Sequence, residues 1–457
     1  MKAPGDILLV ACYELGHQPL AVAWPAAFLE RRGFRPAVMD LSVEPFDEEK
    51  VARAGLVAIS VPMHTALRLG VTVAERVRVR NPACHLCFFG LYAGLNSDYL
   101  LAHGAQSVIS GEAEGPLAEL AEALDRGASR PDWSAVGPNL ARLDFPVPSR
   151  AKLPSLKSYA RLERGGRHEL VGYVEATRGC LHLCRHCPIP PVYGGRFFAV
   201  PVDVVMADIR QQVAAGARHI TFGDPDFLNG PTRALRLARA FHEEFPEISF
   251  DFTAKIAHLL RHRDRLQELA SLGCAFVVSA AESLNDAVLT HLAKGHTRAD
   301  IQAALEATRA AGIDLRPTWV AFTPWTTLED YRVLLDFVGA EDLVDRVDPV
   351  QYSLRLLVPP GSLLLDSEAM RPHLGSLDQE TFTYRWTHPD PRMDRLQEAV
   401  GCAVAVAAER GEDAALTYDR VRALAAEAAG EHVDPRTTVR LDPQRPRPPR
   451  ISESWFC

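Results

Sequence analysis

The amino-acid sequence predicts an α/β protein built from two successive units, and three observations carry that prediction. Short apolar runs alternate with amphipathic stretches through the first 130 residues, the pattern of βα repetition. The same alternation resumes near residue 170 and continues to about residue 365. Between them lies a proline-rich stretch, residues 131–169, without a sustained period, which reads as a linker. A length of 457 residues suits two or three cores, at roughly 100–200 residues per domain.

In the first unit the runs DILLVAC, FRPAVMDL, GLVAISV, CHLCFF and AQSVIS read as strands. The helix-length stretches between them suit parallel crossovers. The predicted strands end near Cys12, Pro62, Gly90 and Gly111, and open parallel sheets bind ligands beyond the carboxyl ends of their strands. Residues 13–17, 62–65, 90–93 and 111–114 are therefore expected to line a crevice. Cys84 and Cys87 form a C-x2-C pair that suggests a metal or redox site. Their period also fits an interior strand, and packing is the preferred reading.

Composition is ordinary for a globular protein, with 47% of residues apolar and 24% charged. A formal net charge of -8 gives no reason to expect nucleic acid as a partner. No run of 18 apolar residues appears, and the apolar core of MKAPGDILLVACYELG is too short for a signal peptide. No membrane partner is expected, and the location reads as cytoplasmic. Nine cysteines in so long a chain do not suggest a disulfide scaffold.

Three of those cysteines stand together. Cys180, Cys184 and Cys187 form a C-x3-C-x2-C array in EATRGCLHLCRHCPIPPVYGGR, just after the strand-like run ELVGYVEA. Four thiolates would close a structural zinc site or saturate an iron-sulfur cluster. Three on one short loop can hold three irons of a [4Fe-4S] cluster and leave the fourth open. His182 and His186 raise a zinc reading, but no second C-x2-C or histidine pair follows downstream at finger spacing.

This array, with TRGC at its start and an arginine beyond it, resembles the radical S-adenosylmethionine (SAM) superfamily from about residue 171 to about residue 365. The resemblance implies a partial (β/α)6 barrel and a [4Fe-4S] cluster on Cys180, Cys184 and Cys187. It also implies SAM on the open iron and an electron donor such as flavodoxin or ferredoxin. The cofactor carries the difficult chemistry, while the protein binds, orients and shields.

Further roles follow from the same resemblance. The loop FGDPDF matches the segment that holds the methionine amino group, which points to Asp224 first and Asp226 second. An Asp-Pro turn with solvent-facing acids is the bland alternative. Lys255, after FDFTA, is a weaker candidate for a carboxylate partner. SAAES followed by KGHT points to Ser279 and Glu282 near the cofactor's ribose or the substrate. Arg316 suits the methionine carboxylate, because a guanidinium fork fits a planar anion. Trp319 suits adenine, although either can instead pack the sheet. Arg355, at the end of a sixth expected strand in VDPVQYSLRLL, is read as a catalytic residue of the pocket.

The first unit resembles the Rossmann-like cobalamin-binding domain attached to many radical SAM enzymes, with GEAEGPLAELAEAL matching its last loop and helix. Cobalamin domains that supply a lower histidine to cobalt carry Asp-x-His-x-x-Gly, whereas the first loop here reads CYELGHQP. Glu14, His17, His64, Gly90 and Gly111 are the residues expected to meet a cofactor in the crevice. Cobalamin is a candidate there, without a protein histidine on cobalt; a lid that no longer binds corrinoid is the other reading. The expected organisation is 1–130 cobalamin-binding-like domain, 131–169 linker, 170–366 barrel, 367–440 helical cap and 441–457 spacer and tail.

The chain ends in PQRPRPPR, a stiff basic spacer, and ISESWFC. A Trp-Phe pair carries large apolar area that argues for docking, which would bring Cys457 to the active site as a second catalytic residue. SVPMHTA, the cysteine loop and the terminal WFC resemble radical enzymes with a Cys-Cys-Ala-Glu-Pro or Cys-selenocysteine-Ala-Glu-Pro tail. A chain ending at Cys457 is what an in-frame UGA read as stop would give. This resemblance implies transfer of a SAM-derived group, such as 3-amino-3-carboxypropyl, to a small metalloid acceptor, for which soft ligands are suited. A cobalamin-dependent radical methylase of small natural products and a non-catalytic iron-sulfur protein are the competing readings.

Overall fold

The computed structural model describes residues 1–127, 137–431, 442 and 445–452. Its first unit contains β1 (Ile7–Ala11), β2 (Ala37–Asp40), β3 (Leu56–Ser60), β4 (His85–Phe89) and β5 (Ser107–Ile109). All pair in parallel, in the order β2-β1-β3-β4-β5. Helices cover both faces, which explains the nearly continuous apolar strands. On β1, Leu8 and Val10 enter one core while Ile7, Leu9 and Ala11 enter the other. Cys84 and Cys87 sit in these two cores, and burial raises both thiols.

The second unit begins earlier than the proline-rich composition suggested. β6 (Arg161–Arg164) lies inside the expected linker and pairs antiparallel with β7 (Arg167–Val174). Gly165 and Gly166, both at positive φ, make the two-residue turn that this hairpin requires. A small antiparallel ribbon follows, β8 (Thr177–Gly179) with β9 (Phe197–Ala199). Then come β10 (His219–Phe222), β11 (Ser249–Thr253), β12 (Cys274–Glu282) and β13 (Asp314–Trp319), parallel to β7 and to one another.

The sixth parallel strand expected in VDPVQYSLRLL does not form. Pro349 opens a 3-10 turn, Pro349–Ser353, and what remains is a single parallel bridge between Phe322 and Arg355. A proline cannot donate to the ladder, so it is suited to a strand's edge or end. After the hairpin β14 (Leu374–Asp378) and β15 (Thr383–Trp386), helices Pro391–Glu409 and Ala414–Ala428 pack their apolar faces into the main core. No helix among the described residues is long and apolar enough to cross a membrane.

The last described strand, β16 (Arg450–Ile451), pairs antiparallel with β6 and completes the order β13-β12-β11-β10-β7-β6-β16. Leu162, Val171, Phe276 and Ile451 form one small cluster, so strands from both halves of the sheet meet across its hollow. The outer face carries Ile220, Phe222, Phe250 and Phe252 into the main core. Alternate residues His219, Thr221, Ser249 and Asp251 point the other way and hydrogen-bond one another.

A strap formed by residues 137–158 joins the two units. Arg150 forks onto Asp208 at 2.6 and 2.8 Å and also donates to Gln18 and the Tyr173 carbonyl. Trp24 donates to the Pro146 carbonyl. Asn139 pairs with Gly111, whose positive φ and lack of Cβ are both needed: a Cβ there would lie 2.2 Å from the Asn139 carbonyl oxygen.

Candidate functional site

The cysteine loop leaves the carboxyl end of β7 and is pinned at its neck by the β8–β9 ribbon. Cys184 is buried, while Cys180 and Cys187 are partly covered. Burial raises the Cys180 thiol and pushes Cys187 up to about 12, and the neighbouring sulfurs add to both. Two ammonium groups balance that sulfur-rich surface. Lys255 Nζ lies 3.7 Å from Cys184 Sγ, and Lys294 interacts electrostatically with Cys184 and Cys187. Three soft thiols in a cationic surround form a donor set that fits an iron-sulfur cluster.

Asp224 and Asp226 diverge, as two carboxylates two residues apart on a turn must. Asp224 accepts from the Ala176 N–H at 3.0 Å and from the Thr177 hydroxyl, tying the β10 exit to the cysteine loop. Burial pushes its carboxyl up to about 6 despite those donors. Asp226 turns instead toward His182 and His258. Burial would raise it, but the two imidazoles outweigh that effect and hold it below the ordinary range.

Glu282 sits at positive φ at the end of β12, where Lys294 Nζ and His186 Nε2 each lie 3.1 Å from its Oε1. Burial opposes ionisation, yet Lys294 and then His186 prevail, and the carboxyl falls far below its usual value. Lys294 and His186 thus favour the carboxylate form beside the cysteines. Ser279 is placed lower and fully buried, its hydroxyl donating to the Ala254 carbonyl at 2.6 Å. That bond ties β11 to β12 and leaves Ser279 no reach to a ligand.

Above the loop, a crevice of about 250 Å³ separates the first sheet's carboxyl ends from the barrel mouth. Glu14, Gly90 and Gly111 line it, together with Glu114, Tyr173, Glu175 and Arg178. His17 and His64 do not. His17 is buried and stacks on Tyr173 with ring centroids 4.6 Å apart. Burial lowers it to about 4, so it is a neutral packing residue. His64 Nε2 lies 2.6 Å from the Thr381 carbonyl, clamping the β14–β15 turn to the first unit.

The crevice is strongly acidic. Glu14 accepts from the Leu20 and Ala21 N–H groups at the start of helix Leu20–Arg31. Burial first, and the Glu175 charge second, push its carboxyl from 4.5 to about 8. A raised folded-state value means that stability is fully present below pH 4.5 and lost as pH rises through about 8. Glu14→Gln keeps the backbone acceptor and removes the titration. Its thermal midpoint is therefore expected to exceed wild type's at pH 8.5 and not at pH 4.5, reflecting a stability difference of a few kcal/mol at about 1.4 kcal/mol per unit. Identical pH profiles in thermal denaturation would contradict this.

Arg178 is the hub that residue-by-residue reading missed. It pairs with Glu112 at 3.2 Å, Glu114 at 2.6 Å and Glu175 at 3.2 Å, and lies over the Trp24 ring at 4.4 Å. The Tyr193 hydroxyl donates to Glu112 at 2.9 Å. The signals were visible as TRGC beside the first cysteine and GEAEG at a strand end. Nothing in the spacing shows that these segments meet.

Two arginines are committed elsewhere. Arg316 does not face the mouth as a free fork: Asp348 lies 3.3 Å from it, and the Asp345 and Pro449 carbonyls each 3.4 Å. It thus helps seat the segment leading into β16. Arg355 pairs with Asp394 at 2.6 Å, donates to the Trp386 carbonyl and lies over the Trp386 ring at 3.5 Å. Both its charge and its face are used to fasten the helical region. Trp319 is wholly buried and packs edge-on against Phe337. Cys457 lies outside the described residues.

The Radical SAM superfamily matches residues 174–336. Among curated relatives, the tRNA-2-methylthio-N(6)-dimethylallyladenosine synthase of Geobacter sulfurreducens is 25% identical over 243 residues, covering 49% of this chain and 48% of the relative. The ribosomal protein uS12 methylthiotransferase RimO of Desulfosudis oleivorans is 24% identical over 282 residues, covering 57% and 59%. The chain thus spans about half the length of the curated relatives it matches.

Solved structures match over more of the chain. The cobalamin-dependent SAM radical enzyme OxsB, with aqua-cobalamin and SAM bound, gives a TM-score of 0.67 at 13% identity, covering 94% of this chain and 69% of that one. The radical SAM methyltransferase TsrM from Kitasatospora setae, with tryptophan substrate and a SAM analog, gives 0.64 at 16% identity, covering 87% and 89%. At these identities the likeness is one of fold, and it extends over both sheets. Residues 174–336 therefore carry a radical SAM domain, of the superfamily that uses a [4Fe-4S] cluster and S-adenosylmethionine.

Proposed function

We propose that this chain is a radical SAM transferase that joins a SAM-derived group to a small-molecule acceptor in the crevice between its two sheets. The observation that carries this reading is that the residues flanking the three-thiol loop, Thr177 to Gly179 before it and Ile189 after it, line that crevice, with Arg178 two residues from Cys180. Cys180, Cys184 and Cys187 would hold the cluster, and when bound it supplies reductive cleavage of a sulfonium carbon–sulfur bond. Lys255 and Lys294 offset the negative charge of three thiolates. Asp224 fixes the turn that would meet the cofactor's amino group, and ionised Glu282 offers a second carboxylate at the mouth. The first unit covers the site and keeps water from the radical.

The finer form of the proposal is transfer of the 3-amino-3-carboxypropyl group to a metalloid acceptor. A crevice of 250 Å³ falls below the roughly 300–1,000 Å³ of drug-sized sites, which suits a small acceptor. The described chain ends with Ser452 bonded to Arg161, next to Ala160, whose N–H is bonded to the Gly16 carbonyl of the first unit. Cys457 follows five residues later in the sequence. A tail thiol would suit a soft acceptor.

Cobalamin-dependent methyl transfer is the second reading, and the two-sheet likeness to OxsB and TsrM favours it. Glu14, Gly90 and Gly111 would then line the corrinoid, and neither His17 nor His64 is free to reach cobalt.

Product analysis separates these readings, because each breaks a different bond at the sulfonium. Reconstituted protein is incubated anaerobically with dithionite, SAM and arsenite, with and without methylcobalamin. The expected result is 5′-methylthioadenosine in arsenite's presence and independent of cobalamin. S-adenosylhomocysteine appearing only with cobalamin would favour the second reading. Deoxyadenosine and methionine alone, with no modified acceptor, would overturn both. Arsenite affinity is expected to fall in a version ending at Trp455, and equal affinity would remove Cys457 from the proposal.

A further inference from the structure

Beside the cysteine loop lies a second set of converging ligand atoms. Among the described residues, His182, Asp226 and His258 are the trio whose donor atoms all lie within 4.8 Å of one another. The set does not include the three sulfurs. Each member comes from a different segment: the cysteine loop, the β10 exit, and the short helix Ile256–Arg261. The backbone holds the carboxylate in place, since Asp226 Oδ1 accepts from the Leu228 N–H at 3.0 Å and Oδ2 from the Lys255 N–H at 3.4 Å.

The bland account of this trio is an aspartate bonded to two histidines. His258 Nδ1 does lie 2.8 Å from Asp226 Oδ2, but its alignment is wrong for donation, and that nitrogen has no hydrogen-bond partner. His258 is only 4% exposed, so water is a poor substitute. His182 Nε2 stands 3.5 Å from the same oxygen and is likewise buried and unpartnered. The two rings tilt toward one another with centroids 4.6 Å apart. Two orphaned imidazole nitrogens facing one carboxylate oxygen cost free energy unless something accepts their lone pairs.

We propose that His182 Nε2, His258 Nδ1 and Asp226 Oδ2 bind one divalent transition-metal ion of the zinc class. Two neutral imidazoles and one carboxylate suit such an ion at metal–ligand distances of about 2.0–2.2 Å and leave a fourth position open. Ligands 2.8 and 3.5 Å apart need only small shifts to reach a common centre. The ion would fasten the segment between Cys180 and Cys184 to the barrel, and it neutralises Asp226. Lys255 Nζ is turned away from the trio onto Cys184. The site is independent of the transferase reading, because it uses none of the three thiols.

The test uses full-length, cluster-loaded protein, freed of loose metal and titrated anaerobically with Zn²⁺, with zinc and iron counted per chain. Wild type is expected to take one zinc beyond its iron. His258→Ala and His182→Ala should each lose affinity by at least the roughly hundredfold that removing even a supporting residue can cost. Iron content should be retained in both. No zinc beyond background, or unchanged affinity in either variant, would overturn the site. Where a variant loses its iron and does not fold, wild type titrated with Co²⁺ decides: visible bands of nitrogen-ligated cobalt support the site, and their absence overturns it.

Discussion

Cys184→Ala protein, reconstituted anaerobically, is expected to hold far less iron than wild type and to leave SAM uncleaved under dithionite. Cys184 is the buried member of the three, and its sulfur faces the Lys255 ammonium. The β8–β9 ribbon fixes the neck of the loop, so a replacement ligand cannot be supplied by sliding the chain. Nor is another thiol at hand among the described residues. Cys12, Cys84, Cys87 and Cys274 are locked in cores, and Cys402 is exposed on helix Pro391–Glu409. The nearby histidines have other tasks, with His186 on Glu282 and His182 beside Asp226. A lost ligand is thus uncompensated. Iron and sulfide per chain and SAM consumption are the measurements, and full iron with normal cleavage would refute the ligand assignment.

The parts of the fold that were legible in the sequence are those with a local cause. Apolar runs of five residues separated by helix-length stretches predict the first sheet because both its faces are buried, which erases alternation and leaves continuous hydrophobic strands. The cysteine array is legible because its three donors lie within eight residues of chain. What failed was whatever depends on partners distant in sequence. Arg316 was read as a fork for a carboxylate and Arg355 as a catalytic residue of the pocket, since nothing local reveals Asp348 or Asp394. His17 and His64 follow strand ends, as crevice residues should, but Tyr173 and the Thr381 carbonyl claim them. The missing sixth strand did have a local cause, since Pro349 stands at its start and opens a 3-10 turn in place of a ladder.

Arg178→Met is expected to destabilise the protein by about 3–5 kcal/mol near pH 8, the range for breaking a buried ion pair from one side. The substitution keeps length and apolar contact with Trp24 while removing the one cation that Glu112, Glu114 and Glu175 share. Glu112 and Glu114 are well shielded from water and Glu175 is partly so. Even with Arg178 present, burial raises Glu112 and brings Glu175 to about 7. Removing the arginine takes away the charge that pulls both down, so both rise further. Acids with raised folded-state values stabilise fully below their ordinary value and lose that contribution as pH climbs through the raised one. The variant should therefore approach wild type near pH 5, where its carboxylates accept protons, and fall away from it through the neutral range. Thermal midpoints of cluster-loaded protein across pH 5–8.5 read this directly. Adding Glu112→Gln and Glu175→Gln to Arg178→Met should flatten the profile and recover much of the loss, since amides bury without charge. A pH-independent deficit would show that Arg178 acts through its packing on Trp24 and Phe145 rather than through its charge.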